Sequence, residues 1–239
     1  IPRTSRNEKE ATDMLFDCIS HDYGMQVERT GNNLLCRTPH FSTSRPTILL
    51  NAHIDTVKPV SAWQRNPYTP TREGNRLYGI GSNDDGASLV SLLQTFRTLY
   101  HTPLPCNLLF LASAEEEVSG HEGIEQMIPL LPHIDVAIVG EPTGMQPAIA
   151  EKGLMVLDVT EHGKAGHAAR DEGDNAIYHA LDDMQRIRNR EWEKVSPLLG
   201  KVKTTITIVN AGTQHNVIPD HCTFTIDVRS NELYSNQEL

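Results

Sequence analysis

The sequence predicts an α/β protein in two parts: a mixed, mostly parallel sheet covered by helices, then a smaller, incomplete ferredoxin-like α+β unit. Two observations predict it. From residue 1 to 151, short continuous apolar runs alternate with windows of helical spacing, as when parallel strands are buried between crossover helices. After Glu151 apolar and polar residues alternate one by one, as in half-exposed antiparallel strands. The expected domains are therefore 1–151 and 152–239.

The elements follow in order. Residues 7–19 ("NEKEATDMLFDCI") space Ala11, Met14, Leu15 and Cys18 along one helical face, with Asn7 as a candidate N-cap. "MQVERTGNNLLCRT" reads as two short strands around a Thr30-Gly31-Asn32 turn. Thr47-Ile48-Leu49-Leu50 opens a buried strand, and a Pro-rich polar connection runs from Lys58 to Arg76. Residues 86–100 form a helix with Leu89, Leu92, Leu93 and Phe96 on one face. Residues 107–113 are a buried strand, 121–131 a helix and 135–141 another buried strand. In the second part, 154–163 is a strand and 175–190 an amphipathic helix, with Ala176, Ile177, Ala180, Leu181, Met184 and Ile187 inward. "TTITIVNAG" and "CTFTIDVRS" are strands, and "NELYSNQEL" begins a helix. That β-α-β-β-α order is most of a split β-α-β unit, one strand short.

Composition narrows the function. The chain has 239 residues, 38% hydrophobic and 22% charged, which suits a globular protein with a real core. A net charge of −10 argues against nucleic acid as a partner. No apolar run has membrane-spanning length, and the opening "IPRTSRNEKE" does not read as a signal peptide, so the expectation is a cytoplasmic protein without membrane partners. Cys18, Cys36, Cys106 and Cys222 are scattered and form no C-x-x-C pair, as reduced thiols would be.

Polar residues gather at the carboxyl ends of the strands, where open α/β sheets hold their sites. "LLNAHIDTV" ends an apolar strand with His53 and Asp55, two apart and on one face of an extended backbone. Asp84 and Asp85 lie in "GIGSNDDGAS" before the 86–100 helix, Glu115 to Glu117 follow the 107–113 strand, and Glu141 stands in "VGEPT". Each has an ordinary reading alone: a strand-end pair, a helix N-cap, a solvated turn, a loop residue. Together they can converge on one sheet edge, where unpaired like charges would cost several kcal/mol each. A divalent cation resolves that conflict. One imidazole with carboxylates suits zinc, a bridging carboxylate suits two ions roughly 3.5–4 Å apart, and a carboxylate left over can act as general base. "GIGSND" also begins like a dinucleotide-binding loop, but Asp84 stands where that loop wants glycine and would repel a pyrophosphate.

Six motifs in order, "NAHIDT", "LYGIGSNDDG", "ASAEEEVSGHEG", "VGEPT", "GHAARDEGDNAI" and "HNVIPDHCTFTIDVR", resemble the co-catalytic zinc hydrolases related to aminoacylase, acetylornithine deacetylase, succinyl-diaminopimelate desuccinylase and glutamate carboxypeptidase. The resemblance implies His53 as ligand of one zinc with Asp55 orienting it, Asp84 as the bridging carboxylate, and Glu116 as general base. It further implies Glu117 as ligand of the other zinc and Glu141 as the remaining carboxylate on the His53 zinc. It points to His167 in "GKAGHAA" as the group that polarises the scissile carbonyl from the partner subunit of a homodimer, and to Asn216 and Arg229 as substrate contacts. The 152–239 part would then be the dimerisation domain.

Two departures stand out. Relatives read Asp-Met-Lys-Gly-Gly where this chain has Asp84-Asp85-Gly86-Ala87-Ser88. The family's last ligand is a histidine beyond the second domain, and His215 and His221 come too early to supply it, so a partial chain is expected. The function implied is zinc-dependent hydrolysis of an N-acyl amino acid, nearest to acetylornithine deacetylation in arginine biosynthesis, with two zincs in the intact protein and cobalt or manganese as substitutes. Desuccinylase, dipeptidase or carboxypeptidase activity and an inert dimerising relative are the alternatives.

Overall fold

The computed structural model describes residues 1–239. Backbone contacts divide them into two compact units, Ile1–Gln146 and Pro147–Leu239. No helix is long and apolar enough to cross a membrane.

The first unit is a five-stranded mixed sheet. Its elements are helix α1 (Lys9–Asp17), strands β1 (Val27–Thr30), β2 (Asn33–Arg37), β3 (Thr47–His53), β4 (Thr71–Glu73) and β5 (Arg76–Tyr78), helix α2 (Gly86–Leu99), strand β6 (Asn107–Ser113), helix α3 (Ile124–Met127) and strand β7 (Val136–Val139). The sheet order is β1-β2-β6-β3-β7, with β4 and β5 forming a separate hairpin. Strand β3 runs parallel to β6 and to β7, whereas β1 and β2 pair antiparallel. Strand β6 is buried throughout, and its side chains alternate between two cores. Leu108, Phe110 and Ala112 pack with Ile19 and with Leu89, Leu93 and Phe96 of α2. Leu109 and Leu111 pack with Met127 of α3 on the other face. Each such leucine, isoleucine, phenylalanine or methionine contributes roughly 1.5–3 kcal/mol on leaving water, so the strand ends that carry the site rest on a well-buried layer.

Four expectations need correction in this unit. Helix α1 starts after Glu8, not Asn7, and continues into a π-helical turn at Cys18–Asp22. The connection after Lys58 contains the β4–β5 hairpin, turned by Gly74 at φ +58°. The helix expected at 121–131 is one turn of α3 followed by a 3-10 turn at Ile128–Leu130, because Pro129 supplies no N–H to continue it. Strand β7, expected to be buried, lies at the sheet edge with Val136, Ile138 and Val139 about half exposed. An apolar run says that a strand suits burial, not that a neighbour covers it.

The second unit holds β8 (Gly153–His162), β9 (Gly166–His167), helix α4 (Ala176–Arg188), β10 (Lys203–Ala211), β11 (Val217–Ile218) and β12 (His221–Ser230). Strand β12 is central in an antiparallel β10-β12-β8 sheet, and β9 pairs with β11 in a short ribbon. Ala176 and Ala180 of α4 close over Cys222, Phe224, Ile226 and Val228. The expected inward Leu181 is 51% exposed, one position round the helix from the stripe. The C-terminal residues form turns, not the expected helix: Asn231 Oδ1 accepts Leu233 N–H at 3.1 Å while its Nδ2 donates to Lys194 O and Gly200 O. Local side-chain bonding of this kind competes with helix formation.

Candidate metal centre

Parallel pairing carries the ends of three strands to one edge, where the end of β3 carries His53 and the loops leaving β6 and β7 carry Glu115 to Glu117 and Glu141. His53 is the last residue of β3 and is 2% exposed. Its Nδ1 lies 3.0 Å from the carbonyl oxygen of Asp55 and 3.4 Å from the Asp55 carboxylate. Donation from Nδ1 to that carbonyl frees the Nε2 lone pair for a cation. Nε2 lies 3.1 Å from Asp84 Oδ1 and 3.9 Å from Glu116 Oε2. The orienting group expected of Asp55 is thus first its backbone oxygen. Its carboxylate, fully buried, accepts Ser5 Oγ–H at 2.7 Å and the amides of Glu116 and Glu117 at 3.1 and 3.2 Å.

Asp84 and Asp85 sit at the turn into α2, joined by a cis peptide. Asp85 occupies the N-cap position without a side-chain cap bond; its Oδ2 accepts His53 N–H at 3.2 Å. Its Oδ1 is buried without a hydrogen-bond partner. The sequence alone gives Asp85 no part in the site, because a doublet does not say which member turns inward.

Glu115 takes a left-handed conformation at φ 54°, and Glu116–Val118 form a 3-10 turn behind it. Gly120 permits this: a Cβ there would fall 1.8 Å from Glu115 Oε2. Glu116 and Glu117 thereby face Asp84 and His53. Two groups of donor atoms result, His53 with Asp84 and Glu117, and His53 with Glu116 and Glu141, each within 4.8 Å of one another. The five residues singled out for a cation therefore converge within the first unit.

The electrostatics match the crowding. Burial raises the carboxyl pKa of Glu116 and of Glu117, and neighbouring carboxylates add to it against the opposing His53. Burial, then Glu116, pushes Glu141 up to about 7. Burial alone would depress the His53 imidazole, but hydrogen bonding to Asp55 and the surrounding negative charge push it up to about 9. Burial likewise would raise Asp55, yet hydrogen bonds from His53, Ser5 and the Glu116 and Glu117 amides hold it below the ordinary carboxylate range. The only ion-pair partner of Asp84 and Glu116 is His53 itself. One imidazole nitrogen and converging carboxylate oxygens, without lysine or arginine to neutralise them, fit a divalent cation.

The remaining residues lie in the second unit. His167 pairs with Val217 across the β9–β11 ribbon, and Ala168 N–H donates to Asn216 O at 3.0 Å, so two motifs far apart in sequence meet there. Ala169 N–H donates to His167 Nδ1 at 3.1 Å, which leaves the ring proton of a neutral imidazole on the exposed Nε2. Arg229 instead grips Asp227 on the sheet, Nε to Oδ1 at 2.9 Å and Nη2 to Oδ2 at 3.2 Å.

Known proteins are similar to this chain in sequence and in fold. The chain is 32% identical over 240 residues to succinyl-diaminopimelate desuccinylase of Corynebacterium glutamicum, covering 96% of this chain and 63% of that one. It is 32% identical over 192 residues to acetylornithine deacetylase of Pectobacterium carotovorum subsp. carotovorum, covering 76% of this chain and 50% of that one. It thus spans about half to just under two-thirds of these relatives. Among solved structures, an M20 family metallo-carboxypeptidase from Sulfolobus solfataricus superposes with a TM-score of 0.71 at 17% identity, over 99% of this chain and 70% of that one. Residues 49–232 match peptidase family M20/M25/M40, a span that includes every ligand candidate and reaches into both units, and the chain belongs to that family.

Proposed function

We propose that the protein hydrolyses the amide bond of an N-acyl amino acid, with two divalent cations, zinc first, held by His53, Asp84, Glu117 and Glu141. The observation that carries this reading is the convergence of one imidazole with Asp84, Glu116, Glu117 and Glu141. The relatives named for acetylornithine and for succinyl-diaminopimelate support an N-acyl amino acid as substrate, and we take the acetylornithine-type reaction of arginine biosynthesis as the leading case. On this reading the family's residue roles transfer to a 1–151 catalytic domain and a 152–239 dimerisation domain, in a cytoplasmic homodimer.

The cation, when bound, supplies a Lewis acid that polarises the scissile carbonyl and acidifies water. Glu116 does the proton work. Burial raises its carboxyl pKa, which strengthens it as a base: it takes a proton from the attacking water and returns it to the departing amine nitrogen. Asp55 holds His53 through the backbone oxygen at Nδ1, keeping Nε2 directed at Asp84 and the carboxylates. His167, with its proton on Nε2, is suited to donate to the carbonyl oxygen as negative charge develops. Asn216 is the neighbouring group for substrate. Arg229 would bind a substrate carboxylate only after release from Asp227, so it is the weaker of the two substrate positions.

The test is elemental analysis and turnover of the full-length protein on N-acetyl-ornithine, N-succinyl-diaminopimelate and a dipeptide panel. Two cations per chain with deacetylation supports the leading case. A preference for dipeptides moves the assignment to the carboxypeptidase-like branch that the Sulfolobus solfataricus neighbour represents. Cation binding without turnover on any of them selects the inert relative.

A further inference from the structure

The buried Glu8 side chain has no part in the chemistry just described, yet it reaches the turn that carries the general base. Glu8 is 0% exposed at the start of α1. Its Oε1 accepts the Arg6 amide at 2.8 Å and the Glu115 amide at 3.2 Å, and its Oε2 accepts Asn32 Nδ2 at 3.3 Å. The Arg6 bond is an ordinary helix-start contact. The Glu115 bond spans 107 residues of sequence and falls on the left-handed residue from which Glu116 and Glu117 depart.

Three successive amides are therefore taken by two buried carboxylates: Glu115 by Glu8, and Glu116 and Glu117 by Asp55. Consecutive N–H groups in such a turn form a concave donor set that an anionic oxygen fixes in place. The same N-terminal arm braces the rest. Ser5 Oγ–H donates to Asp55 Oδ2 at 2.7 Å. Arg3 Nη2 donates at 2.9 Å to Gly81 O, which also accepts Gly86 N–H at 2.9 Å and so closes the loop bearing Asp84. Thr56 N–H donates to Arg3 O at 3.0 Å, anchoring the arm beside the end of β3. Residues 3–8 touch all three loops leading to the His53, Asp84 and Glu116–Glu117 positions.

We propose that Glu8, assisted by Ser5 and Arg3, is a positioning residue that sets the Glu115–Glu117 turn and thereby the placement of general base and ligand. The general base and ligand roles rest on the function proposed above; the fixing of the turn does not.

The test uses the full-length protein with Glu8→Ala, the conservative Glu8→Gln, Ser5→Ala and, as a control on the exposed face of α1, Glu10→Gln. Amide hydrogen exchange of chelator-treated protein reads the turn directly. In Glu8→Ala, exchange at 115–117 should speed up roughly tenfold, as loss of a charge-assisted hydrogen bond allows, with β6 and α2 unchanged. Glu8→Gln keeps an accepting oxygen and should restore most of the protection. Cobalt(II) titration of the same samples should show about tenfold weaker binding and a changed visible spectrum in Glu8→Ala, and kcat should fall with KM within twofold. Wild-type exchange at 115–117 in Glu8→Ala overturns the proposal. Should Glu8→Ala unfold, Ser5→Ala reads the same turn through Asp55, and unaltered exchange at 116 and 117 there overturns it equally. A wild-type protein that binds no cobalt sinks the proposed function while the exchange data still decide the role of Glu8.

Discussion

At the residue scale, the two adjacent glutamates are separated by what each can reach. Glu116 lies 3.9 Å from His53 Nε2 and is close enough to be a ligand, yet it is the residue assigned to proton transfer. Glu116→Gln keeps the shape and removes the base. Turnover should fall by a factor of roughly 10²–10⁴, the usual contribution of a positioned acid–base group. Cation content by elemental analysis should stay at the wild-type value; its loss would reassign Glu116 as a ligand. Asp84→Asn should instead lower cation content as well as activity.

The legibility of individual residues divides along the same line. His53, Glu116, Glu117 and Glu141 were readable because strand ends in a parallel sheet share an edge, so separated positions become neighbours by topology, whereas Asp84, in the turn into α2, was readable from its glycine-rich motif. Asp85, Ser5 and Glu8 were not. Ser5 and Glu8 have the Ser-x-x-Glu spacing of a helix start, and nothing local distinguishes a carboxylate that caps from one that reaches an amide 107 residues away.

At the scale of the element, the Glu115–Glu117 turn depends on close approach. Gly120→Ala forces a Cβ into the Glu115 carboxylate. Urea denaturation should show a loss of about 2 kcal/mol, within the range for strain at a crowded turn, and cation affinity should fall with it. Strand β6 offers a contrasting prediction. Phe110 is fully buried with its ring 6.0 Å from that of Phe96, so Phe110→Ala should cost about 3–5 kcal/mol. Leu181→Ala on the exposed side of α4 should change stability by less than about 0.5 kcal/mol. The helical period placed Leu181 inward because it lies beside Ala180 and Met184 in sequence. The width of the buried stripe is set by the sheet beneath, where Phe224 and Ile226 meet Ala176 and Ala180.

At the scale of the whole molecule, the crowded carboxylates tie stability to pH and to cations. His53 is raised to about 9 from 6.5, so its contribution is full below pH 6.5 and is lost as pH rises through about 9. Glu141 is raised to about 7 from 4.5, so the folded state holds its proton longer, and stability is lost as pH rises through about 7. Both shifts have the same sign. Calorimetry of chelator-treated protein should therefore show Tm falling between pH 6 and pH 9. Added zinc should raise Tm more at pH 8 than at pH 6, because the cation displaces the protons that these groups hold. A Tm that rises with pH in the chelated protein would contradict the crowding.

By itself, the sequence determined the fold class and the order of the parts: an α/β sheet with parallel strands β6, β3 and β7, a change of pattern near residue 151, and a set of polar residues that suits a cation; the antiparallel joining of β1 and β2 to this sheet through β6, which makes it evenly mixed, was not among them. Those features follow from local periodicity and from the fixed geometry of parallel strands. Tertiary structure alone decided that β7 is an edge, that α3 is a single turn, that Asp55 faces two amides as well as an imidazole, and that Glu8 reaches the Glu115–Glu117 turn. Each of these depends on which distant group arrives to cover a strand or to satisfy a buried donor. A hydrogen-bonding group can satisfy a neighbour or a residue far along the chain, and its sequence looks the same in either case.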